Sequence, residues 1–252
     1  MRLLRREQAP VVAALLLVVM ASWAYLWGGA GTMTQMGDML MPMSSGPWTA
    51  GHAAVMLTMW VVMMMAMMLP SATPMILLYA AIARGHRAKG QPGGPVAVFV
   101  SAYGVVWAVF SVAATALQFA LERLAVLSPM MELSSTAVAG ALLIAAGVYQ
   151  WTPWKQACLR HCRSPLEFVL TQWRAGTWGA FEMGVRHGAY CLGCCWMLML
   201  LLFVGGVMSL GWIAGLALLV LLEKLAPLGG WSSRGVGLVL VAWGLATWGA
   251  LV

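Results

Sequence analysis

Apolar residues in this chain run in unbroken blocks, with polar positions gathered in short stretches between them. Seven blocks stand out, at about 11–27, 52–80, 96–120, 136–152, 189–209, 212–228 and 235–252. A helix needs about 20 residues to cross a ~30 Å hydrocarbon layer, and these blocks approach or exceed that length. The pattern predicts an all-α fold: a polytopic transmembrane helical bundle of about seven spans, forming one membrane domain over 1–252. In this reading 1–27 is an N-terminal anchor helix and 235–252 a C-terminal helix. Pro70 and Pro74 should kink the second span, because each removes a backbone donor. The Gly-, Met- and Ser-rich stretch 28–50 reads as an outer loop and 84–95 as an inner one. The semi-polar segment 164–188 reads as an interfacial helix leading into the fifth span. The short turn Ser209-Leu210-Gly211 is the weakest boundary.

Composition agrees with lipid as the outer solvent. Of 252 residues 62% are hydrophobic and 8% charged, whereas a water-exposed surface is about 25–35% charged. The net charge of +7 does not mark a nucleic-acid partner, because the basic residues sit in connections between blocks rather than on one solvated face. With the N-terminus in the cytosol, Arg2, Arg5, Arg6, Arg84, Arg87, Lys89, Lys155, Arg160, Arg163, Arg174, Arg186, Lys224 and Arg234 fall inside and only Arg123 falls outside. This bias predicts a multi-pass protein of an inner (cytoplasmic) membrane with its N-terminus inside. The first block ends in Trp23, Tyr25 and Trp27 without a small-residue cleavage site, so it reads as an uncleaved helix.

The five cysteines occupy two windows, both on the cytosolic side in this topology. Cys158 and Cys162 lie in an inner loop with His161 between them; Cys191, Cys194 and Cys195 lie at the inner end of the fifth span, four residues and more after His187. Residues three or four apart share a helix face, so His187, Cys191 and either Cys194 or Cys195 form one stripe. Both could address one site only if Gly193 distorts the helix. Cys158, His161 and Cys162 form the second half-site. Thiolate and imidazole select Cu(I), with Zn(II) as the alternative ion. Neither spacing matches a standard zinc finger, and a free cysteine also serves as a small hydrophobe.

Methionine is patterned as well. On the second span Met56, Met59, Met63 and Met67 fall within about 80° of arc, with His52 one turn before. This face reads either as a conduit for a soft cation or as flexible packing. The outer loop carries Met33, Met36, Met39, Met41 and Met43, suited to collecting Cu(I) because thioether sulfur is a soft, neutral ligand. Glu182 is a candidate partner for the His187 ring. Glu223 and Lys224 close the sixth span; a structural anchor is the favoured reading, with Lys224 reaching the inner interface.

Three stretches carry a resemblance: 63–71 (MMMAMMLPS), 155–165 (KQACLRHCRSP) and 184–199 (GVRHGAYCLGCCWMLM). Over about 50–228 the chain resembles a bacterial family of predicted metal-binding integral membrane proteins, a domain of unknown function with a Gly-Cys-Cys-Trp motif. The resemblance implies a helical membrane protein with a metal site, placed on Cys158, His161, Cys162, His187, Cys191, Cys194 and Cys195. The expected function is soft-metal binding in transport, delivery or homeostasis. The expected partners are the lipid bilayer, a metal ion, and a copper chaperone or cuproenzyme assembly protein. A membrane thiol–disulfide oxidoreductase and a non-catalytic assembly partner are the competing readings.

Overall fold

The computed structural model describes residues 2–31, 33–36, 39–42, 48–128, 130–225 and 231–249. Helix α1 (Arg2–Trp27) leads to an antiparallel hairpin, β1 (Met33–Met36) with β2 (Met39–Pro42). There follow α2 (Ala50–Ala88), α3 (Val96–Arg123), α4 (Thr136–Tyr149), α5 (Pro153–Arg163), α6 (Pro165–Gln172), α7 (Gly176–Leu200), α8 (Leu202–Gly205), α9 (Leu210–Leu225) and α10 (Trp231–Gly249).

Helix α2 is the spine, touching α1, α3, α6 and α9. Thr49 caps it by accepting the His52 N–H at 3.2 Å, a standard use of a hydroxyl at a helix start. Pro70 and Pro74 do not end it; the helix continues to Ala88. Around them, the Ser71 and Thr73 hydroxyls donate to the carbonyls of Met68 and Leu69, each at 2.9 Å. Prolines also set the starts of α5 and α6, where a missing N–H costs nothing.

Small residues bring the other helices together. On α7 a side chain at Gly184 would meet Ala102 Cβ at 2.7 Å, and one at Gly188 would meet Val106 of α3 at 2.9 Å. Between α4 and α10 a Cβ on Gly147 would lie 2.8 Å from the Gly237 carbonyl, and the reverse holds equally. Such glycines permit backbone approach that any larger residue blocks.

The elements differ from expectation in two places. The segment 164–188 is not one interfacial helix: α6 stops at Gln172, and Gly176, at φ 78°, opens the long helix α7. Hydropathy placed the boundary too late because Glu182 and Arg186 looked like an interruption. They sit one turn apart and pair with each other at 2.8 Å, which lets the helix run on. Cys191 therefore lies midway along α7 and not at its end. The stretch 28–50, expected as plain loop, contains the two-stranded hairpin.

Four helical segments are long and apolar enough to cross a membrane: Gln8–Trp27, Ala50–Ala88, Val96–Arg123 and Gly176–Gly205. Helices α4, α9 and α10 are shorter, with 14, 16 and 19 residues. The break between α8 and α9 falls at Gly206, φ 87°, close to the expected turn.

Candidate metal centre

The interior of the bundle gathers sulfur around one carbonyl. Helix α7 is continuous through Gly193, and the thiols of Cys194 and Cys195 both donate back to the Cys191 carbonyl, at 3.1 and 2.9 Å. Back-bonding over three and four residues holds two adjacent side chains on either side of one carbonyl, so no distortion is needed. From there the thiols face different neighbours. Cys195 Sγ lies 3.9 Å from Met68 Sδ on α2. Cys194 lies beside Cys162 of α5. Cys191 Sγ is 2.9 Å from Lys224 Nζ and 3.1 Å from Tyr103 Oη. Gly193 has another role than the one expected of it: a Cβ there would stand 2.7 Å from Cys158 Sγ, so the glycine makes room for the second cysteine window.

Helix α5 delivers that window. Lys155, Cys158 and Cys162 recur at intervals of three and four, so they share its inner face. Cys158 and Cys162 are half-buried. The neighbouring Cys194 thiol, together with burial, holds the Cys162 pKa well above the ordinary thiol value. Burial raises Cys158 too, with a smaller effect from Cys194. His161 points away: it is exposed, its Nδ1 is 2.9 Å from the Ala157 carbonyl, and its ring stacks on Tyr190 at 4.1 Å. The two windows thus converge through their cysteines, and this histidine stays outside.

His187 is buried one turn before Cys191, against the rings of Phe99, Tyr103 and Phe168. Its Nδ1 has no hydrogen-bond partner. Glu182 is not that partner. Five residues turn a helix by about 500°, which puts the two side chains on different faces; Glu182 instead pairs with Arg174 at 3.0 Å and Arg186 at 2.8 Å.

The charged end of α9 also departs from expectation. Lys224 does not reach toward an interface. It is 6% exposed and donates to Ser71 Oγ at 3.0 Å as well as to Cys191. Glu223 pairs with Lys155 at 2.7 Å, both fully enclosed, while Arg163 Nε donates to the Glu223 carbonyl at 2.7 Å. A lone ionic group at such depth is very costly, so these residues must be partnered. Lys155, Tyr103, Ser71 and Met68 were not recognised as site residues from sequence. An ionisable group inside an apolar run was a signal for Lys224, and the three-four spacing from Lys155 to Cys162 was one for Lys155.

Met56, Met59, Met63 and Met67 are all at most 1% exposed, and Met64 and Met68 are buried beside them. His52, at the start of the same face, is half-buried against Trp48, with ring centroids 5.0 Å apart. Of the outer methionines, Met33, Met36, Met39 and Met41 lie in the hairpin strands; Met43 lies outside the described residues. Among the described residues no three His, Cys, Asp or Glu side chains stand at metal-holding distances. What is assembled is a set of thiols and thioethers with one ammonium.

Fold and site together define a predominantly helical protein whose core concentrates soft sulfur donors around the buried Lys224 ammonium. The chain belongs to the PpoB2 family of copper chaperones, which it matches over residues 57–247. That range contains the three stretches that carried the resemblance to metal-binding proteins. No curated protein and no solved structure matches this chain.

Proposed function

We propose that this protein is a multi-pass protein of the bacterial inner membrane that accepts Cu(I) on the methionine face of α2 and passes it to the cysteines of α7 and α5. The observation that carries the reading is the meeting of Cys162 with Cys194, thiols from two separate helices, beside the Met68–Cys195 contact. Thioether sulfur binds Cu(I) weakly and thiolate binds it strongly, so the order Met59, Met63, Met67 or Met68, then Cys195 and Cys194, runs downhill without an energy source. Cu(I) accepts few ligands, whereas Zn(II) in a protein usually takes four. The donors brought together here are sulfur atoms, thiols with a thioether beside them, the ligand type that suits Cu(I) best.

Membrane insertion is supported by the four long apolar helices and by large side chains on their outer faces. Leu16, Leu17 and Met20 of α1 and Val105, Val109 and Val112 of α3 are all exposed, contiguous apolar faces that suit lipid better than water. Buried Lys224 serves the anionic state of the thiols: it supplies the positive charge that a thiolate site in a low-dielectric interior requires. The Met33–Met43 segment would collect the ion on the outer side, and a cuproenzyme assembly protein would take it on the inner side.

The test is metal loading. Protein purified anaerobically under reducing conditions should retain about one equivalent of Cu(I) or more, lost on replacing Cys162 and Cys194 with serine. Retention below that level in the wild type, or retention unchanged in the variant, would reject the assignment. Copper flux into proteoliposomes that survives leucine at Met59, Met63 and Met67 would reject the conduit alone.

A further inference from the structure

At the other end of α2 a second group of soft donors converges on one nitrogen. The Gln118 carboxamide of α3 is completely buried. Its Oε1 accepts the Trp60 indole N–H at 2.8 Å, which fixes Nε2 on the opposite side. That nitrogen is 2.8 Å from Glu122 Oε1, 3.4 Å from Met56 Sδ and 3.3 Å from Met131 Sδ. An amide has two N–H bonds and here faces three acceptors, so one acceptor is always left over. Two of the three are thioethers, poor partners for an N–H but good ligands for a soft cation.

The backbone supports the same conclusion independently. Met131 holds φ 57°, in the left-handed region that a long side chain rarely adopts. It is pinned there by its own N–H on the Ser128 carbonyl at 2.9 Å. Strain of this kind persists where the surrounding structure has a use for the side chain's placement. Glu122 is aimed in turn by Trp48, whose indole N–H donates to Oε2 at 2.6 Å.

We infer that Met56, Met131 and Glu122 form a first binding site for a soft monovalent cation, with the Gln118 amide nitrogen holding its place when the site is empty. Two neutral sulfurs and one carboxylate leave a bound monovalent ion electrically neutral, so this site, unlike the thiol nest, needs no lysine. Cation binding moves the Gln118 amide off the sulfurs and leaves its bond to Trp60 intact. The inference rests on the copper reading and adds a separate station to it.

Full-length protein in detergent micelles, titrated anaerobically with Ag(I) as a redox-inert stand-in for Cu(I), tests this. Competition with a soluble chelator gives the affinity of each equivalent. We expect two classes of equivalents. Cys194→Ser removes the tighter class and keeps the weaker one. Met131→Leu, which preserves volume, and Glu122→Gln, which preserves shape, each weaken the weaker class at least tenfold and keep the tighter one. Retention of the tighter class in these two variants shows that they are folded. Two classes unchanged in both variants, or a single class removed by Cys194→Ser, would overturn the outer site and leave the thiol nest standing. A single class removed by Met131→Leu and untouched by Cys194→Ser would uphold the outer site and reject the thiol nest.

Discussion

The two ends of the buried sulfur run are built differently, although α2 contributes to both. Near its start, Met56 meets Met131, a carboxylate and an amide. Midway along, Met68 meets Cys195, next to thiols that share a buried ammonium. The difference lies in charge. Thioethers are neutral in every state, so the first end needs only one carboxylate to balance one cation. Thiols bind metal as anions, so the second end carries Lys224, locked on Ser71 and Cys191. Under the proposed function, such a gradient from neutral to anionic ligands would give a soft cation a direction of travel.

Removing a thiol should break this contrast most severely. Loss of a supporting partner around a metal typically costs about 10–100-fold in affinity, and a ligand should cost more. Cys194→Ser is therefore expected to lower Cu(I) affinity by more than about a hundredfold, read by chelator competition, while the weaker class of sites persists. Lys224→Met tests the charge argument directly and should weaken the thiol class by about 10–100-fold without changing the outer class. Equal losses at both ends would show that Lys224 acts only on the fold.

Stability separates the ion pair from the metal chemistry. Lys155 and Glu223 are enclosed together, and removing one partner of such a pair typically costs about 3–5 kcal/mol. Lys155→Met should lower the thermal midpoint sharply, and adding Glu223→Leu should restore most of it. No restoration would mean that Lys155 has a further partner.

The pH dependence should be confined to the thiol end. The Cys162 pKa is held well above the ordinary thiol value, so at neutral pH this group is a protonated thiol and metal must displace its proton. Affinity at the thiol class should rise with pH by up to about tenfold per unit for each proton released, up to the raised Cys162 pKa, and flatten above it. The outer class should show no such rise over the same range. The smallest effect is expected from Gly193→Ala. Its Cβ would press on Cys158 Sγ, the free end of a small side chain that can rotate, so Cu(I) affinity should change by less than about fivefold, the equivalent of about 1 kcal/mol at the low end of overpacking costs.

Much of the architecture was legible because apolar blocks and helix length obey one rule. The starts of α3 and α4 and the interruption after α8 follow from it. The beginning of α7 was missed because Glu182 and Arg186 cancel each other locally, something hydropathy does not register. At the site, the cysteine windows were readable from spacing, and both windows reach the nest. His161 lies apart from the cysteines because one residue turns a helix by about 100°, which sets its ring on Tyr190. Lys224 was visible as a charge in an apolar run, yet which way it points depends on α9 packing against α2, which is a tertiary fact. Gln118 has one local partner, Glu122 a turn later, but its contacts with Met56 and Met131 span 62 and 13 residues, so their meeting depends on the tertiary fold.

The central claim is that thiols from two helices bind one Cu(I) ion together. X-ray absorption at the copper edge, on anaerobically loaded wild type and on the Cys162→Ser variant, tests it most directly. The account predicts a sulfur-only shell of low coordination number in the wild type that loses a sulfur in the variant. A shell dominated by nitrogen or oxygen, or one identical in the two proteins, would contradict it.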